Sequence, residues 1–286
     1  MLKRLSTILS VAVLALSILA CSSSSDNSEQ EPDPLEEENT IETETTDTVD
    51  YTDLPVALCG MAPYELLDPA TLGQVIDHET TPVIDYDAAL LGSLLAAGGL
   101  QITPEHAVKV HRFRYTTQDR GNMVEATGML AFPVGDTVGS GPLPLASYAH
   151  ATTGWSDSCA GGRDFILQMG LAGMASQGFV AVATDYIGMT SYGEPATTPH
   201  AYMITEPAAI SNWDALSAGQ KLLEQLAPNL NVNNTTILVG ASQGSQTAFF
   251  QERIAPYYAP GYDVVGVVGF VPVIDQVRST NRAVEF

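Results

Sequence analysis

The sequence is poor in positive charge. Its 286 residues include 11 Lys and Arg against 33 Asp and Glu, which gives a formal net charge of -22. A nucleic-acid-binding surface needs clustered basic residues, so this composition argues against a nucleic-acid partner. Hydrophobic residues make up 45% of the chain, which is enough to build one sizeable core.

Cysteine is also scarce, since the chain has only Cys21, Cys59 and Cys159. None of them has the spacing to histidine that a zinc site would need, and no pattern in the sequence indicates another metal or a cofactor. If the chain is exported, an oxidising compartment favours a disulfide between Cys59 and Cys159. Two thiols are the alternative.

The N-terminal apolar run is too short to cross a membrane. Lys3 and Arg4 precede an uncharged stretch over residues 5–20, whereas a spanning helix needs about 20 apolar residues. This pattern is typical of a secretory signal over residues 1–20. Its end, Ile18-Leu19-Ala20-Cys21, resembles a bacterial lipobox, which implies cleavage before Cys21, lipid attachment there and anchoring in the cell envelope. A plain secretory signal with an incidental cysteine is the alternative.

Residues 21–53 contain almost no large apolar side chains. Residues 22–53 hold twelve Asp or Glu, four consecutive serines and no Lys or Arg. Such a segment buries too little to form a core, and its like charges favour an extended conformation. We interpret residues 21–53 as an acidic tether that keeps the remainder clear of a membrane surface.

Strands and helices alternate in the rest of the chain. Residues 54–107 are predicted to be an N-terminal decoration with one buried helix at 85–98. In residues 108–286, predicted strands cover 108–116, 122–132, 143–148, 179–184, 236–239 and 264–273, and predicted helices cover 164–177, 206–226 and 243–254. The first strand alternates charged and apolar residues, as a half-solvated edge strand does. The alternation predicts an α/β architecture with a mostly parallel sheet.

The segment Gly240-Ala241-Ser242-Gln243-Gly244 lies between a predicted buried strand and a predicted helix. This is the sequence of a nucleophile elbow, in which a serine is held in a strained turn and flanking glycines allow close backbone approach. The N–H of Gln243 would then face the oxygen that becomes negative during acyl transfer. An ordinary Gly/Ser turn is the alternative.

Three stretches together resemble the α/β-hydrolases, closest to secreted lipases and esterases. They are the elbow, Tyr148 to Gly154 after the third core strand, and Ala183 to Gly188 after the fourth. The resemblance covers roughly residues 108–275. It implies an α/β-hydrolase fold and a small-molecule or lipid ester as substrate.

The resemblance also assigns roles around Ser242, the candidate nucleophile. Thr152 would give the second oxyanion donor, with Thr153 next, although Ala151 replaces the glycine of the family pattern. His150 and Gly154 would support this loop. His200, in the loop after the fourth strand, would lie near the rim of the site, and a catalytic-base role for His200 or His150 is the alternative.

No histidine follows Ser242 in the sequence, and only 44 residues remain after it. In this fold the acid and then the histidine come after the serine. The five histidines all precede it: His78, His106, His111, His150 and His200. Asp275 is an outside candidate for the acid. We therefore expect an incomplete hydrolase core, ending after about the sixth strand, with little activity on its own.

The leading hypothesis is a serine carboxylic-ester hydrolase anchored through Cys21. A non-catalytic surface lipoprotein that uses the same scaffold for binding is one alternative. A serine peptidase on the same fold is another, since the motif is common to both.

Overall fold

The computed structural model describes residues 66–136, 138–139 and 141–272. Within these ranges, eight strands form one sheet and four α-helices pack against it. The strands are β1 (Val75–His78), β2 (Ile84–Tyr86), β3 (Ala107–Asp119), β4 (Asn122–Val134), β5 (Leu143–Ala149), β6 (Val180–Thr184), β7 (Val232–Ala241) and β8 (Asp263–Phe270). The helices are α1 (Ala88–Ala97), α2 (Phe165–Ala175), α3 (Thr205–Leu226) and α4 (Gln243–Tyr258).

The sheet has an antiparallel half and a parallel half. Its order is β1-β3-β4-β6-β5-β7-β8, and β2 also pairs with β3. The pairs made by β3, and the pair of β4 with β6, are antiparallel. From β6 through β5 and β7 to β8, every pair is parallel. The predicted α/β-hydrolase-type sheet with flanking helices is confirmed. The sheet is mixed rather than mostly parallel, since four of its strand pairs are antiparallel and three are parallel.

Helices cover both faces of the sheet. On β5, Leu145 belongs to the apolar cluster formed with α3 and α4, whereas Ala146 belongs to the cluster formed with α1 and α2. All five residues of β6 are buried, as its continuous apolar sequence predicts for a strand covered on both faces. Of the helices in the described part of the chain, none combines the length and the apolar character that a membrane span requires.

The prediction that residues 108–116 form an edge strand is wrong. β1 and β2 pair along one side of β3, and β4 pairs along the other. The charged side chains that suggested solvent contact form ion pairs instead: Arg112 binds Glu79, and Arg114 binds Asp77. β1 and β2 have only four and three residues, which is too short for a hydrophobic period to be recognised.

The second core strand runs further than its proline suggests. β4 continues to Val134, and Pro133 lies opposite Val108 near the end of the pairing with β3. A proline near a strand end removes only one donor from the ladder. The strand therefore ends one residue after the proline.

A helix, α1, lies within the predicted residues 85–98, but only two of its ten residues are buried and Leu90 is 46% exposed, so the predicted burial is too extensive. It begins after Asp87, whose carboxylate accepts the N–H of Leu90 at 2.8 Å as an N-cap. Leu91 and Leu95 are its buried residues and belong to the core cluster beneath the sheet. This helix and α2 cover the same face of the sheet, and α1 packs on β3.

Candidate active site

Ser242 is the one residue between the end of β7 and the start of α4. Its backbone has φ 50° and ψ -115°, a combination that a non-glycine residue rarely adopts. Its N–H donates to the carbonyl of Phe270 on β8 at 2.8 Å, and its own carbonyl accepts the N–H of Ser245 at 2.9 Å. Both polar backbone groups of this strained residue are therefore held by hydrogen bonds, and its side chain remains half-buried.

The two glycines of the motif are required by close backbone approach. A Cβ on Gly240 would overlap the carbonyl of Gly244, and a Cβ on Gly244 would overlap the carbonyl of Ala149 at the end of β5. The turn thus packs against itself and against the neighbouring strand with no space for side chains. This is the mechanical reason for the spacing of the motif.

The loop after β5 lies beside this turn. Ala149 pairs with Gly240 in the parallel register of β5 and β7, so both strands end at the same edge of the sheet. The hydroxyl of Thr152 donates to Oε1 of Gln243 at 3.3 Å and lies 3.2 Å from the Tyr202 hydroxyl, from which it can accept. The structure therefore brings together the two residues that the sequence proposes as oxyanion donors.

His150 is buried beneath this loop and is 1% exposed. Its Nδ1 donates to the carbonyl of Ala151 at 2.7 Å, and its own carbonyl accepts the Tyr186 hydroxyl at 2.8 Å. The His150 ring also packs against the Tyr186 ring, with centroids 4.5 Å apart. Burial lowers the pKa of His150 below its usual 6.5, so the ring is neutral at pH 7. These contacts suit a residue that holds the loop in place.

Gly154 ends the loop in a conformation with φ 144°, against the side chain of Cys159. Cys159 is half-buried in a short 3-10 turn, Asp157–Cys159. The proposed partner of Cys159, Cys59, lies outside the described residues, as do the lipid-attachment candidate Cys21 and the acid candidate Asp275.

His200 makes a contact that the sequence does not predict. Its Nδ1 donates to the carbonyl of Ile187 at 3.0 Å, and its Nε2 lies 3.2 Å from the side-chain nitrogen of Gln243. Burial lowers the pKa of His200 below its usual 6.5. Tyr202, whose hydroxyl reaches Thr152, is absent from the sequence-based candidates, because it lies in neither a periodic segment nor a recognised motif.

Two buried aspartates have structural partners away from Ser242. Asp185, which follows β6, accepts the N–H of Gly162 and the hydroxyl of Thr127, each at 2.5 Å. Asp214 lies within α3 and accepts the Thr117 hydroxyl at 2.7 Å. Both carboxylates are therefore engaged in holding the interior.

Two cavities in the described residues lie away from the elbow. One, of about 360 Å³, lies between β4 and residues 190–198, with Arg114 and Glu125 in its wall. The other, of about 350 Å³, is lined by His78 to Thr81 and Tyr192. Their linings do not include Ser242, Gln243 or Thr152, so the candidate site is defined by its backbone geometry and hydrogen bonds.

Comparison with solved structures supports the same fold. The match to a ligand-bound form of the rice cell wall degrading esterase LipA from Xanthomonas oryzae has 26% identity and a TM-score of 0.55, and it covers 68% of this chain and 49% of that chain. A candidate hydrolase from Legionella pneumophila matches at 21% identity and a TM-score of 0.57, covering 70% of this chain and 52% of that one. Candida antarctica lipase A matches at 17% identity and a TM-score of 0.50, covering 74% and 46%.

The chain spans about half the length of these solved structures. No protein-family model and no curated protein matches it. The fold is that of an α/β-hydrolase, and two of these structural neighbours are an esterase and a lipase.

Proposed function

We propose that this chain carries the nucleophile and the oxyanion site of a serine carboxylic-ester hydrolase of the lipase and esterase type. The observation that carries the proposal is the strained backbone of Ser242 at the junction of β7 and α4. Strain of this kind persists only where the surrounding structure holds it, and it is concentrated at active sites. Here Phe270, Gly240 and Gly244 hold it.

The oxyanion site would use backbone N–H groups. Gln243 is the first residue of α4, so its N–H has no acceptor within the helix and lies at the positive end of the helix dipole. Thr152, joined to the Gln243 side chain, would supply the second N–H from the loop after β5. Loss of one such donor typically lowers kcat by about 10²–10³-fold.

In the proposed reaction, the Ser242 Oγ attacks the carbonyl carbon of an ester. The carbonyl oxygen becomes negative and accepts hydrogen bonds from the two N–H groups, and the alcohol then leaves with a proton. Water attacks the resulting acyl-serine, which releases the acid and restores the hydroxyl. Both halves of the reaction need a base that accepts a proton and then returns it.

Among the described residues, no histidine is hydrogen-bonded to the Ser242 hydroxyl. His150 and His200 each use Nδ1 to donate to a backbone carbonyl, and Nε2 of His200 is engaged by Gln243. Removing the base of a serine triad lowers kcat by about 10⁶-fold. We therefore expect the 286-residue chain to hydrolyse esters very slowly.

The test is phosphonylation of the purified chain by an alkyl fluorophosphonate, with and without added imidazole as an external base. We expect an adduct on the Ser242 peptide by mass spectrometry, formed faster with imidazole. Ser242→Ala should give no adduct there, and Ser158→Ala, at an exposed serine, should react like the wild type. The absence of an adduct at every imidazole concentration would contradict the nucleophile. Rapid hydrolysis of a short-chain nitrophenyl ester without imidazole would contradict the inference that no histidine of this chain acts as the base for Ser242.

We also propose that the chain is exported and anchored in the cell envelope through lipid on Cys21, with residues 21–53 as a tether. The signal-like residues 1–20 and the acidic composition of the following segment support this. Expression in a bacterial host with an alkyne fatty acid should label the wild type and Ser22→Ala. Cys21→Ser should be unlabelled and released from the membrane fraction, and an unlabelled wild type would refute the anchor.

A further inference from the structure

A chain of side-chain hydrogen bonds joins His200 to the candidate oxyanion loop. His200 contacts the Gln243 amide at 3.2 Å, and the other end of that amide accepts the Thr152 hydroxyl at 3.3 Å. Gln243 is 3% exposed, so water has little access to this link. The backbone of the same residue begins α4 directly after Ser242.

The chemistry of each group fixes the direction of the chain. His200 Nδ1 faces the carbonyl of Ile187, which can only accept, so Nδ1 carries the proton. In the neutral ring Nε2 is then an acceptor, and Gln243 must present its NH₂ group to it. The amide oxygen of Gln243 therefore faces Thr152, whose hydroxyl donates to it.

The surroundings of His200 hold its ring in place. The Tyr186 ring stacks on it with centroids 5.7 Å apart and an interplanar angle of 29°. A Cβ on Gly188 would overlap the backbone of Pro199 and His200, so this part of the chain packs without a gap. These contacts hold the His200 ring in one orientation, so that it can orient the amide of Gln243.

We propose that His200 is a positioning residue for the oxyanion site: its neutral ring orients the Gln243 amide, which in turn holds Thr152 beside Ser242. The inference rests on the proposed function and extends it to a residue that does not touch the substrate. A protonated ring would present a second N–H to the Gln243 NH₂ group. The amide would then have to rotate, and Thr152 would lose its acceptor.

The titratable groups around His200 are His150, across the Tyr186 ring, and the phenols of Tyr186 and Tyr202. A positive charge on either histidine disfavours a positive charge on the other. Burial acts in the same direction and lowers the pKa of His200. The His200 ring is therefore neutral at pH 7, and we expect its contact with the Gln243 amide to be lost only when the ring is protonated in acid.

The test compares two substitutions of His200 in the full chain. His200→Phe keeps an aromatic ring against Tyr186 but removes the acceptor, whereas His200→Asn keeps an acceptor for Gln243. We expect imidazole-assisted phosphonylation of Ser242 to slow about tenfold in His200→Phe and to recover in part in His200→Asn. The change should appear in the rate of the bond-forming step, with probe affinity nearly unchanged.

His78→Phe is the matched control, since His78 lies on β1 and bonds the carbonyl of Glu79. It should react like the wild type. A His200→Phe chain with wild-type thermal stability and wild-type phosphonylation would overturn the proposal, and so would equal slowing in both His200 variants.

A second readout does not depend on reactivity. Nitrogen-15 NMR of the full chain should show His200 protonated on Nδ1 at pH 7, and the amide signals of Thr152 and the side-chain signals of Gln243 should titrate with His200 in acid. Failure of wild-type phosphonylation with this coupling intact would count against the proposed function alone. If His200 is protonated on Nε2 at pH 7, or if the side-chain signals of Gln243 do not change as His200 titrates, the positioning role alone is refuted.

Discussion

Backbone pairing joins the strands in both halves of the sheet, but the antiparallel half adds ion pairs between side chains, whereas the elbow in the parallel half depends on close contacts between backbone atoms. β3 and β4 have 13 residues each, and β3 carries Arg112 and Arg114, which bind acids of the N-terminal segment. In the parallel half, the elbow is held by a carbonyl of β8 and by glycines that lie against bare backbone. Substitution of an ion-paired side chain on β3 should therefore cost little stability, whereas the close backbone contacts at the elbow do not tolerate any side chain at Gly240 or Gly244.

The largest expected loss of stability comes from a substitution in the parallel half of the sheet. Gly244→Ala places a Cβ against the carbonyl of Ala149, so the strand and the turn must separate. We expect the free energy of unfolding in urea to fall by about 3 kcal/mol or more, and Ser242 to lose its reactivity. Gly266→Ala on β8 is the control, because a Cβ there meets nothing within 4 Å and stability should change by less than about 0.5 kcal/mol. Equal losses in the two variants would show that close approach is not the cause.

The next prediction concerns the link between the two halves. Asp214 on α3 accepts hydroxyls from Thr117 on β3 and from Tyr258 on α4. Burial raises the pKa of Asp214 from its usual 3.8 to about 7. Between these values the unfolded chain ionises while the folded chain keeps its proton, so stability should fall as pH rises from about 4 to about 7 and then level off.

The substitution that tests this link is Asp214→Asn, which cannot ionise. Relative to the variant, the wild type should lose about 3 kcal/mol of unfolding free energy between pH 4.5 and pH 8, because each pKa unit corresponds to about 1.4 kcal/mol and the unfolded chain is already largely ionised at pH 4.5. Urea unfolding at pH 4.5 and pH 8 measures the difference, with exposed Glu224→Gln on the same helix as the control. A difference that stays constant with pH, or grows in the opposite direction, would be inconsistent with a protonated Asp214 in the folded chain.

The smallest expected effect lies in the antiparallel half. Arg112 donates to both carboxylate oxygens of Glu79 at 2.7 Å and to the Ser191 carbonyl at 3.0 Å, with its side chain mostly covered. Arg112→Gln should lower the unfolding free energy by about 1–2 kcal/mol. Lys109→Gln should lower it by less than about 0.5 kcal/mol, because the pair of Lys109 with Asp85 is 3.5 Å long and exposed. Equal losses would mean that burial does not strengthen the Arg112 pair.

The parts of the fold that could be predicted are those encoded locally. The elbow is recognisable because the glycines, the serine and the flanking strand and helix lie within a few consecutive residues. β6 is recognisable because a strand buried on both faces is apolar throughout. The predicted bounds of α2 and α3 lie within two residues of the observed ones for the same reason, as Asp164 illustrates by capping α2 just before its first residue, whereas α4 continues four residues beyond its predicted end.

Contacts between distant segments could not be predicted in this way. β1 and β2 are too short to show a period, so the pairing that removes β3 from the sheet edge is invisible in the sequence. The link from His200 to Gln243 joins a loop to a helix start 43 residues later, and no local pattern marks it. The partners of Asp214 likewise come from a strand and a helix far away along the chain.

The hydrogen bond from Ser242 to Phe270 has a consequence for how the protein matures. The amide of Ser242 is fixed by a carbonyl that the ribosome adds 28 residues later, as the positions 242 and 270 show. A nascent chain that has emerged only as far as α4 would possess the serine without the group that orients it. The backbone conformation of the elbow would therefore be completed late in synthesis, after β8 has docked.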